Sequence, residues 1–169
     1  MARNTKNYFA GCETLEDVKK VFHKMAFALH PDRGGDEEEF KKLNNQYEKA
    51  FKKYKNIHKN VKGETYEKDT QETPAEFRDL IFKLMKISDI IIEVVGSFVW
   101  VSGDTKPNKE ALKELGFKFS SQKAMWYKAP VGYRKKSRAK YSMDEVRNMW
   151  GVQYSTKTGS RDDERLALN

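Results

Sequence analysis

Residues 29 to 36 read Leu29-His30-Pro31-Asp32-Arg33-Gly34-Gly35-Asp36, and this stretch forbids one continuous helix across the first third of the chain. Pro31 locks its own φ, offers no N–H, and pushes His30 away from helical backbone. Gly34 and Gly35 then permit a sharp reversal. Both flanks are helical in pattern. Before the break, Thr14 with Asp17 three residues on reads as a helix N-terminus, and Leu15, Val18, Val21, Phe22, Met25, Ala26 and Leu29 recur at three and four residues. After it, Asp36 starts a second helix with Glu37, Glu38 and Glu39 in its first turns and Lys41, Lys42, Lys49, Lys52 and Lys53 later, the order that suits the helix dipole. Its apolar stripe is Phe40, Leu43, Tyr47, Ala50, Phe51 and Tyr54. Two helices of similar length joined by so short a turn pack antiparallel, stripe against stripe. Tyr8 and Phe9 are placed to cover one end.

Composition narrows the classes. At 169 residues and 38% hydrophobic, the chain can bury one sizeable core or two small ones. An aromatic content of 12% argues against wholesale disorder. The net charge of +8 favours acidic partners, whether nucleic acid, an acidic protein face or an anionic surface, and does not choose among them. Cys12, alone, excludes an intramolecular disulfide and a multi-cysteine zinc site, and fits a reducing compartment. The apolar run at 90–95 is interrupted by Glu93 and followed by Gly96, too short for a membrane span. With no apolar signal core near the N-terminus, a cytoplasmic protein with no membrane partner is expected.

Residues 59–73 lack apolar periodicity and read as a polar, acidic linker, with Glu64, Glu67, Asp69 and Glu72 against Lys68 from Gly63 onward. Order resumes at Thr73-Pro74 with Glu76, a cap with proline at the first helical position. Phe77, Leu80, Ile81, Leu84 and Met85 form the stripe. Two β-branched runs around Gly96-Ser97 predict a hairpin, 107–115 a short helix ended by Gly116, and 117–119 with 124–127 a second hairpin. Asp104 or Thr105 is expected to cap the short helix. Ser142 caps a last helix running through Trp150, and 151–169 reads as a frayed, flexible tail. The second unit is therefore α+β, over 74–150.

The first candidate site is the break itself. No serine or cysteine nucleophile stands beside His30, Pro31 and Asp32, so catalysis is not expected. They form a rigid polar tip next to a helix face carrying Lys19, Lys20, His23 and Lys24. That combination suits docking of an acidic protein partner, and equally fits a plain turn beside a solvated face. The second candidate is the basic run Arg134, Lys135, Lys136, Arg138 and Lys140, close to Tyr127 and Tyr133. Aromatics on a small sheet beside a basic loop suit single-stranded nucleic acid or an acidic partner. The bland alternatives are a solvated loop and, for Phe98, Trp100, Phe119 and Trp126, one inward sheet face covered by helices. Gly103-Asp104-Thr105-Lys106 lacks the spacing of a phosphate loop. No metal set is apparent: His58 is isolated and Cys12 has no base nearby.

Tyr8-Phe9, the basic helix to Leu29, His30-Pro31-Asp32, and then Phe40, Leu43, Asn44 and Tyr47 together resemble the J domain of DnaJ-type co-chaperones. The Gly34-Gly35-Asp36 continuation is similar to the short-loop J domains of auxilin and of polyomavirus T antigens. The resemblance covers roughly residues 5 to 55. It implies a J-domain helical hairpin over 1–58, and a partner: an ATPase of the DnaK heat-shock type, whose ATP hydrolysis the domain triggers. It makes His30, Pro31 and Asp32 the triggering tip, sets Lys19, Lys20, His23 and Lys24 against an acidic face of the chaperone, and places Phe22, Met25, Leu29, Phe40, Leu43 and Tyr47 in the core. Gln46 stands where the family usually has a small alanine, so it either spaces the helices or points outward. No counterpart of the family's fourth helix, Gly/Phe-rich segment or Cys-x-x-Cys zinc module is present. The second half also resembles the tail of small J proteins carried by bacteriophages and other mobile elements.

The expected protein is thus a non-enzymatic co-chaperone, an all-α J-domain hairpin followed by a small α+β domain that brings the chaperone to a target. Stimulation of that kind needs no nucleotide, metal or other cofactor bound to this chain. The alternatives are a nucleic-acid-binding protein of a phage or mobile element and a protein-interaction adaptor.

Overall fold

The computed structural model describes residues 6–135, 139–150 and 155–158. Helix α1 (Leu15–Leu29) starts in a full capping box, Thr14 accepting from the Asp17 N–H while the Asp17 carboxylate accepts from Thr14 N–H. Helix α2 (Glu37–Tyr54) is capped by Asp36, which accepts from the Glu39 N–H at 2.9 Å. The two form the expected hairpin. Val18, Phe22, Leu43, Tyr47 and Phe51 are fully buried, and the rings of Phe22 and Tyr47 stack with centroids 4.0 Å apart. Gln46 ties the N-terminal segment to α2, accepting from the Tyr8 N–H at 2.9 Å and donating to the Lys6 carbonyl at 2.7 Å.

The stretch read as a linker is structured. Strands β1 (Ile57–Lys59) and β2 (Thr65–Glu67) form a small antiparallel hairpin. Side chains hold it where apolar residues do not. His58 Nδ1 meets Glu16 of α1 at 3.0 Å, its Nε2 meets Thr70 Oγ1 at 2.7 Å, and the Asn56 amide oxygen accepts from the Thr70 N–H at 3.0 Å.

Helix α3 (Pro74–Met85) opens with the Thr73/Glu76 capping box and Pro74 in its first turn. Then come β3 (Ile90–Val95), β4 (Phe98–Gly103), α4 (Lys109–Glu114), β5 (Lys118–Ser120), β6 (Met125–Lys128), α5 (Met143–Met149) and β7 (Ser155–Lys157). The strands make one antiparallel sheet in the order β5-β6-β4-β3-β7. Both expected hairpins and the Ser142 cap are present. The turn before α4 is a 3-10 turn without a side-chain cap, so Asp104 and Thr105 do not cap it. Of the expected tail, Ser155–Lys157 pairs as an edge strand with β3. Residues 151–154 and 159–169 lie outside the described residues.

One hydrophobic cluster runs from α1 and α2 through α3 and α4 to one face of the sheet, so the two halves share a core rather than hanging on a free connection. That face presents Ile90, Ile92, Val94, Val99, Val101 and Trp126. The opposite face presents Val95, Trp100 and Met125 to α5 through Met143, with Phe98 and Tyr127 packed alongside. The four aromatics expected on one inward face therefore divide. Trp126 joins the main core, Phe98 and Trp100 lie on the second face two residues apart on β4, and Phe119 is exposed on the edge strand.

Candidate functional site: the turn between the first two helices

His30 ends α1, its N–H bonded to the Ala26 carbonyl at 3.0 Å, with extended backbone (φ −61°, ψ 130°) as a residue before proline adopts. Pro31–Arg33 forms a single 3-10 turn. The N–H groups of Arg33 and Gly35 both reach the His30 carbonyl at 3.0 Å, closing the loop on itself. Both glycines are demanded by the geometry. Gly34 is left-handed at φ +81°, and a Cβ on Gly35 would sit 2.1 Å from the Leu29 carbonyl oxygen.

This frame fixes the side chains of the tip. The Asp32 N–H donates to His30 Nδ1 at 3.2 Å, which leaves Nε2 to carry the proton of the neutral ring. The ring is wedged edge-on between Phe40 of α2, 5.0 Å away, and Phe82 of α3, 5.7 Å away. Burial lowers the His30 pKa, and Arg33 and Lys86 push the same way against the opposing pull of Asp32. Pro31 and Asp32 are exposed. Arg33 folds back, its guanidinium donating to the Phe27 carbonyl at 3.2 Å and lying over the Phe27 ring. A wedged, oriented imidazole and an exposed carboxylate, its Oδ2 3.8 Å from His30 Nδ1, thus share one corner.

The four-residue basic face expected beside the tip is corrected by burial. Lys19 is 2% exposed, paired with Glu72 and lying over the Phe77 ring. His23 is fully buried, its Nε2 2.9 Å from Thr156 Oγ1, and desolvation pushes its pKa down to about 3, so it carries no charge near neutrality. The reason is that α1 is covered on two sides, by α2 and by α3 with the sheet, so one side of its basic face points into the protein. Lys24 is exposed and Lys20 half-buried. Phe82, off the expected α3 stripe, went unrecognised as a tip residue. Its only sequence signal is an aromatic at the edge of an amphipathic helix.

The second candidate cluster lies on the far face of the sheet. Tyr127, Tyr133, Lys135 and Lys140 line one cleft of about 720 Å³ together with Phe98 and Trp100. Arg134 is exposed nearby. Lys136 and Arg138 lie outside the described residues. Among the described residues no group of His, Cys, Asp and Glu side chains is placed to hold a metal ion, and no helix is long and apolar enough to cross a membrane.

Part of the chain is similar to DnaJ proteins. It is 51% identical over 35 residues to DnaJ protein homolog 2 of Allium porrum and 54% identical over 33 residues to DnaJ protein homolog ANJ1 of Atriplex nummularia. These stretches are 21% and 20% of this chain, and 8% of each relative, so the chain matches only a small fraction of either. No family model and no solved structure matches. The relationship is one of a partial, J-domain-like segment.

Proposed function

We propose that this protein is a cytoplasmic J-domain co-chaperone, of the kind carried by bacteriophages and other mobile elements, that docks on a DnaK-type ATPase and stimulates its hydrolysis of ATP. The observation that carries the reading is the corner at His30-Pro31-Asp32, two exposed residues and a clamped imidazole at the end of a helical hairpin. The partial similarity to DnaJ proteins supports it. Docking uses His30, Pro31 and Asp32, with Lys20 and Lys24 supplying charge toward an acidic face. Lys19 and His23 serve the fold instead. The second half delivers the chaperone to a target, and the protein itself performs no catalysis and holds no cofactor.

The test is single-turnover ATP hydrolysis by a bacterial DnaK-type chaperone with and without the full chain. Stimulation is expected, and His30→Gln abolishes it while leaving the helical circular dichroism intact. Lys20→Glu with Lys24→Glu weakens the effect most at low salt. Equal stimulation by the His30→Gln variant would sink the reading.

A further inference from the structure

The far face of the sheet carries a row of rings remote from the core of the helical hairpin: Trp100 is buried in the second cluster, while Phe98 and Tyr127 are half-buried and Tyr133 is open. Phe98 and Trp100 lie on β4 with centroids 6.2 Å apart and planes within 22°, Tyr127 of β6 stands 5.4 Å from Trp100, and Tyr133 meets Phe98 edge-on at 4.8 Å. They form the floor and wall of the cleft of about 720 Å³, within the roughly 300–1,000 Å³ typical of ligand sites. Helix α5 covers only part of this face, and Tyr133 remains 48% exposed.

The charge of the cleft has one sign. Lys118, Lys123, Lys135 and Lys140 line it, and no carboxylate does among the described residues. Glu93, the buried acid on the same face of β3, is neutralised by Arg147 at 2.9 Å. Lys123 holds its ammonium 5.7 Å from the centre of the Trp100 ring. The indole N–H of Trp100, on a residue only 7% exposed, has no acceptor among the described residues, an uncommon state for a buried donor.

We propose that this cleft binds single-stranded nucleic acid. Unpaired bases supply flat faces for the partly open rings of Phe98, Tyr127 and Tyr133, and the phosphates that accompany each base meet the lysine rim. An acidic peptide would satisfy the lysines but leave the row of rings without a counterpart. A duplex keeps its base faces stacked internally and cannot use them. This inference uses residues remote from His30 and does not depend on chaperone docking.

Fluorescence anisotropy of a labelled oligothymidylate about 12 nucleotides long, within the roughly 4–16 nucleotide range of such sites, tests it with the full chain. Binding should weaken as salt rises from about 50 to about 200 mM. Tyr133→Ala, at an exposed position, should cost about tenfold in affinity at an unchanged salt slope. Lys123→Ala with Lys135→Ala should reduce the slope by about 1.4, as two lost phosphate contacts on a single strand require. Circular dichroism establishes that both variants remain folded. No binding at low salt, equal affinity for a duplex, or displacement by polyglutamate with no effect of Tyr133→Ala would each overturn the proposal, the last in favour of an acidic protein partner.

Discussion

The imidazole of His30 stands edge-on to the ring of Phe82, with centroids 5.7 Å apart and planes 73° apart. A helix of the second half thereby supports the corner that joins the two helices of the first. Phe82 also packs against Phe22 and Phe40, so the tip is clamped from α1, α2 and α3 together. The orientation of the proposed trigger is thus a property of the whole chain, not of the hairpin alone.

Phe82→Ala is expected to loosen that clamp without unfolding the hairpin. Phe82 is partly buried, so the cost should be about 2 kcal/mol, below the roughly 3–5 kcal/mol of a fully buried phenylalanine. Stimulation of the DnaK-type ATPase should fall about fivefold, as roughly 1 kcal/mol of lost order at the tip implies. Phe82→Leu should recover most of it. Turnover assays beside urea unfolding separate the two effects; full stimulation by the alanine variant would remove Phe82 from the site.

The ion pair of Lys19 with Glu72 makes a second prediction, because their side chains are only 3% and 13% exposed. Removing one partner strands a buried charge, so Lys19→Met or Glu72→Leu should each cost about 3 kcal/mol. Replacing both, Lys19→Met with Glu72→Leu, should return close to the parent stability and leave ATPase stimulation unchanged. A double-mutant cycle by urea denaturation measures this. If Lys19→Met lowers stimulation in proportion to dose while stability holds, Lys19 belongs to docking after all.

The elements legible in the sequence are those written in apolar spacing or caps: α1 and α2 with their stripes, the Thr14, Thr73 and Ser142 caps, and the turns at Gly96-Ser97 and Gly116. The β1–β2 hairpin was illegible because its strands are three residues long and anchored by His58 and Asn56 rather than by alternating apolar residues. Helix α1 misled for a different reason. Lysines and a histidine opposite an apolar stripe signal solvent only when the helix has one buried side, and α1 has two. The charge of Lys19 is accommodated by Glu72, fifty-three positions on in the chain, a pairing that no local pattern encodes. The tripeptide at 30–32 stood out because proline and two glycines constrain backbone, whereas Phe82 reaches it only through tertiary packing.

The buried His23 ties acid stability to the meeting of α1 with β7. Its folded pKa of about 3 lies below the ordinary value of 6.5, so the folded state binds its proton less readily than the unfolded chain. The stabilising contribution is therefore complete above about pH 6.5 and is lost progressively as pH falls toward about 3. Between about pH 7 and about pH 5 the loss from this residue should be about 2 kcal/mol, and the lowered pKa of His30 acts in the same direction. His23→Gln, which keeps a polar group facing Thr156, should be less stable at neutrality but flatter across that interval. Urea midpoints measured at both pH values for the two proteins check this directly. Identical pH dependence in the parent and the variant would mean that His23 protonates in the folded state, and that β7 does not seal it from water.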